Sequence, residues 1–76
     1  MGGTAEEIER RVRAGEWPTP GDVATLLDVG RKTVDRMLTA GLIRYRVKPG
    51  TGKHRECHPD DVLRELVRRR TVHGDE

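Results

Sequence analysis

The tightest constraint in this sequence is the short stretch Asp28-Val29-Gly30. Before it, Val23, Leu26 and Leu27 recur at i, i+3 and i+4. After it, Val34, Met37 and Leu38 repeat the same spacing. Each set is one apolar face of a short helix. Thr19, Pro20 and Asp22 mark the start of the first helix: a cap, a proline in the first turn and an acid near the positive end of the dipole. That helix is expected to end near Leu27. The second is expected from Arg31 to Ala40, with Gly41 closing it. Two short helices joined by a three-residue, glycine-containing turn form the helix-turn-helix pattern. A plain helical hairpin would show the same apolar positions.

Past Gly41 the period changes. Ile43, Tyr45 and Val47 alternate with Arg44, Arg46 and Lys48, which predicts a strand with one apolar and one cationic face. The segment Pro49-Gly50-Thr51-Gly52 has turn chemistry, and Lys53 to Cys57 is long enough to return as a second strand. His58, Pro59, Asp60 and Asp61 then open a last helix, whose apolar face is Val62, Leu63, Leu66 and Val67. Upstream, Thr4 and Glu7 form a capping box for a helix that Gly15 ends, with Ile8 and Val12 as its narrow apolar stripe. The expected fold is therefore mainly α with a β-hairpin wing: helix-helix-turn-helix-wing-helix. Residues 1–18 are an N-terminal helix and connector, 19–70 a winged helix-turn-helix domain, and 71–76 a frayed tail. With 76 residues, no Phe, one Trp and one Tyr, the core must be built from Leu, Val and Ile.

Several kinds of chemistry are disfavoured. Pro49 to His54 imitates the end of a nucleotide-binding P-loop, but Val47 stands where that motif needs Gly. His54 stands where it needs a magnesium-holding hydroxyl, and Lys53 leads into a strand instead of a helix. His54, Cys57 and His58 cluster in sequence, yet on a strand Cys57 points away from both histidines, and no paired zinc spacing is present. Cys57 is expected in the core, His54 outward, and His58 at the start of the last helix. Ser is absent, and no group can be named to orient a base beside Cys57. The expectation is no enzyme, no metal and no cofactor. No apolar run is long enough for a membrane span, the first residues lack a signal-peptide core, and a lone cysteine forms no internal disulfide. A cytoplasmic protein is expected.

Charge carries the functional signal. Residues 1–30 hold three basic and six acidic side chains, a net of −3. Residues 31–55 hold eight and one, a net of +7, and residues 56–76 hold four and six, a net of −2. The cationic block covers the second helix of the pair and the wing, and it attracts polyanions. With Val34, Met37 and Leu38 facing inward, Arg31, Lys32, Thr33, Asp35 and Arg36 face outward. A helix of this kind enters the major groove, where an Arg fork reads guanine. Asp35 either orients Arg31 four residues back or accepts from a cytosine amino group, and repulsion by phosphates favours orientation. On the wing, Arg44, Arg46 and Lys48, with Lys53, His54 and Arg55, are expected to clamp the backbone or enter a minor groove.

The run from Thr19 to Ile43 resembles the winged helix-turn-helix of MerR-type regulators, including small BldC-like regulators and excisionases. The resemblance lies in Thr19-Pro20 with Asp22-Val23-Ala24, in Lys32-Thr33-Val34 with Arg36, in Ala40-Gly41, and in Gly52 with His54-Arg55 and Asp61-Val62. It covers about residues 19–67. It implies sequence-specific binding of double-stranded DNA: the second helix, through Arg31, Lys32, Thr33 and Arg36, reads bases, and His54 and Arg55 of the wing grip the backbone. It also implies use as a small transcriptional regulator, or alternatively as an excisionase that bends an attachment site beside an integrase. A protein-interaction module is a third reading. Partners would be adjacent copies of the chain, an integrase or RNA polymerase. The chain departs from the pattern at Gly30, where Ser is usual, at Met37, where Trp is frequent, and at Cys57, where an aromatic is common. The long dimerisation helix and effector domain of full MerR proteins have no counterpart, so no sensor function is expected.

Overall fold

Helix α1 (Ala5–Arg13) starts on the capping box that Thr4 and Glu7 predict. The Glu7 amide donates to Thr4 Oγ1 at 3.2 Å, and the Thr4 amide donates to Glu7 Oε1 at 3.1 Å. Helix α2 (Pro20–Leu27) starts on Thr19, whose Oγ1 accepts from the Asp22 amide at 3.1 Å. The remaining elements are α3 (Arg31–Thr39), β1 (Tyr45–Val47), β2 (Arg55–Cys57) and α4 (Pro59–Gly74). This computed structural model describes residues 3–50 and 54–74, the last four of them by backbone alone. The chain is mainly helical, with a two-stranded antiparallel hairpin between α3 and α4.

The turn between α2 and α3 places its strain outside its glycine. Asp28, not Gly30, takes the left-handed conformation, at φ 58°. A short polar side chain tolerates that region better than most. Its amide bonds back to the α2 carbonyls, and the Val29 amide reaches Ala24 O at 3.0 Å. Val29 then packs against the core, the apolar contact typical of this helix ending. Gly30 is extended, at φ −74°, and caps α3 without a side-chain hydrogen bond.

Helix α2 is the hub, touching α1, α3, α4 and β2. Val23, Leu26 and Leu27 of α2 meet Ile8 and Val12 of α1, Val34, Met37 and Leu38 of α3, Ile43, Cys57, and Val62 and Leu66 of α4 in one buried cluster. The predicted inner faces of α1, α2 and α3 are therefore the observed ones. On α4 the stripe is rotated. Val62 and Leu66 are buried but Val67 is 52% exposed, and Asp61 and Glu65 lie inside beside them. Helix α4 also runs through Gly74, past residue 70, where a frayed tail was expected. Residues 75–76 lie outside the described residues.

Asp61 is 2% exposed, so its charge must be met inside the fold. Arg44 meets it three times. Its backbone amide and Nε donate to Asp61 Oδ2, each at 2.9 Å, and Nη2 donates to Oδ1 at 3.0 Å. Arg64 adds a bond to Oδ1 at 3.0 Å. These bonds tie the root of β1 to the first turn of α4. The hydrogen bonds from the Arg44 side chain hold the Asp61 carboxyl far below the usual carboxylate range, against the opposing effect of burial. Glu65 is lowered by Arg68 and Glu9 by Arg70. The latter pair joins α4 to α1 at 2.7 Å.

The hairpin departs from expectation at its apolar face. Ile43 is fully buried, but Tyr45 and Val47 are 45% and 49% exposed. Of this hairpin only Cys57 of β2, together with Ile43 just before β1, reaches the core. Among the described residues, no helix is long and apolar enough to cross a membrane.

Two stability outcomes follow. Replacing Asp61 with Ala removes the part-buried acceptor of the Arg44 amide and guanidinium and is expected to cost about 2 kcal/mol, read by denaturant unfolding. Because the folded pKa values of Asp61, Glu65 and Glu9 are depressed, their stabilisation is present above the unfolded values near 4 and lost as pH falls below them. The melting temperature of the wild type should therefore drop between about pH 5 and pH 2, more steeply than that of Asp61→Asn. Gly30→Ser has open space and a compatible φ. It should raise stability by about 0.5–1 kcal/mol through a new cap and a less flexible unfolded chain.

Candidate nucleic-acid interface

Strand register decides which cations act together. Tyr45 pairs with Cys57, Arg46 with Glu56 and Val47 with Arg55. Hydrogen bonds extend the ladder from the Lys48 amide to His54 O and from the His58 amide to Arg44 O, each at 2.8 Å. Arg44, Arg46, Lys48, His54, Glu56 and His58 therefore share one face, and Tyr45, Val47, Arg55 and Cys57 share the other. Arg55 was expected to act with Arg44, Arg46 and Lys48. The register places it on the opposite face.

That separation gives the two faces different work. Arg46 is held by Glu56 across the ladder, with Nε 2.9 Å from Oε1, and its guanidinium lies 3.9 Å from the centre of the Trp17 ring. The Trp17 ring in turn lies 5.0 Å from that of His58. The His58 Nδ1 accepts from the Asp60 amide at 3.2 Å, at the start of α4. Pro18 O accepts from the Cys57 amide at 2.8 Å, so the segment before α2 lies against β2. Arg44 and Arg46 are thus fasteners between the hairpin, α4 and the Trp17 segment, with side chains still 65% and 54% exposed.

The other face of the hairpin turns toward α3. Arg55 Nη2 donates to Asp35 Oδ1 at 3.2 Å and its guanidinium lies 5.6 Å from the centre of the Tyr45 ring. Arg31 Nε lies 3.7 Å from the same Asp35 oxygen. Asp35 therefore orients Arg31, as its spacing suggests, and also reaches across to β2. Beside this group is an open groove of about 350 Å³, lined by Thr19, Pro20, Gly21, Arg31, His54 and Arg55. Lys32 and Arg36 are exposed on α3, one turn apart, and form no ion pair among the described residues. Thr33 is half-buried and His54 exposed. Lys48 is exposed. Lys53 lies outside the described residues.

Cys57 is fully buried, and burial pushes its thiol up to about 11. It packs as a core residue, with His54 outside and His58 at the helix start. Among the described residues, no group of three or more His, Cys, Asp and Glu side chains is placed to hold a metal ion.

Sequence reasoning passed over Trp17 and Glu56, and it read Asp61 as a helix-start acid and not as a buried charge. Glu56 was not legible from the turn as read, because a hairpin turning at residues 49–52 sets Arg46 opposite Arg55, one residue short of the observed register. Asp61 had a weak signal, the four-residue spacing to Glu65 beside Val62 and Leu66. Nothing local pointed to Trp17 beneath the hairpin. No protein-family model matches the chain, and no curated protein or solved structure matches it.

Removing the Arg46 side chain tests its fastening role. Arg46→Ala should cost about 0.5–1 kcal/mol of stability, since the side chain is half exposed and surface pairs are weak. It should also shift the emission of Trp17, the protein's single tryptophan. An unchanged spectrum would mean that the stack does not form in solution.

Proposed function

We propose that the chain binds double-stranded DNA as a winged helix-turn-helix module and acts as a small transcriptional regulator. The observation that carries this reading is the pair Lys32 and Arg36, exposed on one face of α3 with no ion pair among the described residues. Of the arginines in the cationic block, Arg31, Arg44, Arg46 and Arg55 each meet a carboxylate, whereas Lys32 and Arg36 meet none among the described residues. An α-helix fits the major groove, and an Arg there reads guanine O6 and N7 with two parallel bonds.

Arg31, at the start of α3, and Arg55 border the groove, so they supply phosphate contacts while Lys32 and Arg36 supply base contacts. In this reading β1 and β2 are the wing, and its contribution narrows to the Arg55 face and His54. Arg44 and Arg46 keep the wing at its angle. The mechanism is binding, not catalysis, and it needs no metal or cofactor. One small module presents limited contact area, so tight binding calls for adjacent copies on DNA or a partner already bound there.

Arg31, Lys32, Arg36 and Arg55 are the cations that face the duplex in this reading. Affinity for random duplex should therefore fall with a log–log salt slope of roughly −3.6, about 0.9 for each of the four. Selection from a random pool should return a preferred site, and Arg36→Ala should weaken that site by about 1–3 kcal/mol while relaxing its sequence preference. Failure to bind any duplex at low salt would overturn the proposal.

A further inference from the structure

We infer that Asp35 is a specificity-determining residue, an internal anion that holds Arg31 and Arg55 where a DNA phosphate would otherwise stand. The inference rests on the duplex-binding reading above and adds a role for the one carboxylate on the cationic face of α3. Both guanidinium groups converge on a single oxygen, Asp35 Oδ1, at 3.2 Å from Arg55 Nη2 and 3.7 Å from Arg31 Nε. They come from different elements, α3 and β2, and both line the open groove. Among the described residues no other carboxylate pairs with either.

The energetics suit a displaceable occupant. The side chains of Arg31, Asp35 and Arg55 are 57%, 44% and 31% exposed, and ion pairs this wet are weak. A phosphate presents several oxygens to each planar fork, where Asp35 presents one to both, so a phosphate outcompetes it when it arrives in the right place. Each encounter must still displace the carboxylate or sit beside its charge. On random DNA the protein is held by phosphates alone, and that penalty falls on the whole of the binding energy. At a preferred site, Lys32 and Arg36 hold α3 in one register, so the phosphates reach Arg31 and Arg55 in a fixed orientation. Asp35 thus depresses random binding more than site binding. Without it, the two forks are free to follow any backbone.

The test compares wild type, Asp35→Asn, Arg55→Ala and the double variant on random duplex and on a selected site, each across a salt series. Glu6→Gln, the same charge change on exposed α1, serves as control, and circular dichroism confirms that each variant is folded. Asp35→Asn should bind random duplex more tightly, by about eightfold at 0.1 M salt for each additional phosphate neutralised, with the salt slope steeper by about 0.9 per phosphate. The improvement on the selected site should be smaller, so the ratio between the two falls. The improvement on random duplex should shrink in the Arg55→Ala background. An unchanged random affinity and slope would overturn the inference, as would an equal improvement from Glu6→Gln or one undiminished by Arg55→Ala. Each of those results leaves wild-type binding, and with it the duplex-binding reading, intact. A wild type that binds no duplex at low salt would instead remove that reading and the inference with it.

Discussion

The arrangement of this protein depends on one buried charge. Asp61 sits in the first turn of α4 with almost no access to water, and a carboxylate in that position requires cationic and amide donors. Arg44 supplies both, from its backbone and its guanidinium. Because Arg44 directly precedes β1, satisfying Asp61 also sets where the hairpin leaves the helical core. The Cys57 amide bond to Pro18 and the Arg46 stack on Trp17 hold the other strand and the near face. With both strands anchored at their base, Arg55 reaches α3 and meets Asp35. A small domain with a thin apolar core gains definition from such fixed polar contacts, since side-chain packing alone leaves a hairpin this short only marginally stable.

The cationic block does two kinds of work that its net charge does not distinguish. Arg44 and Arg46 are committed to carboxylates and an aromatic ring. Lys32 and Arg36 have no carboxylate partner among the described residues. Arg31 and Arg55 stand between these cases, paired to a half-exposed acid that water already weakens. A net of +7 over residues 31–55 describes the long-range field that draws in a polyanion. In the proposed duplex-binding reading, the short-range surface is smaller and sits on one side, where α3, the groove and Arg55 adjoin. The exposed Tyr45 and Val47 lie on that same face of the hairpin, so the alternation that reads as a core-facing strand instead gives the hairpin a mixed apolar and cationic surface.

Much was legible in the sequence because it depends on local rules. Caps at Thr4 and Thr19, the proline at the start of α2, the glycines after α1 and α3, and three of the four apolar helix faces follow from spacing and backbone preference alone. So does the inward placement of Cys57, from strand alternation. Lys32 and Arg36 were assigned to an outer face by the same reasoning, and the structure leaves them exposed. What only the tertiary structure decided is which charge meets which. Arg44 and Arg55 look alike in a period-two pattern, yet one is fastened to Asp61 seventeen residues away and the other to Asp35 twenty residues away. Those pairings depend on the angle at which α4 crosses the hairpin and on the strand register. Burial of Asp61 and Glu65, exposure of Val67 and the left-handed Asp28 follow from packing as well. Local periodicity fixes the face a side chain occupies, whereas its partner across that face is set by how the elements dock, which no single stretch of chain encodes.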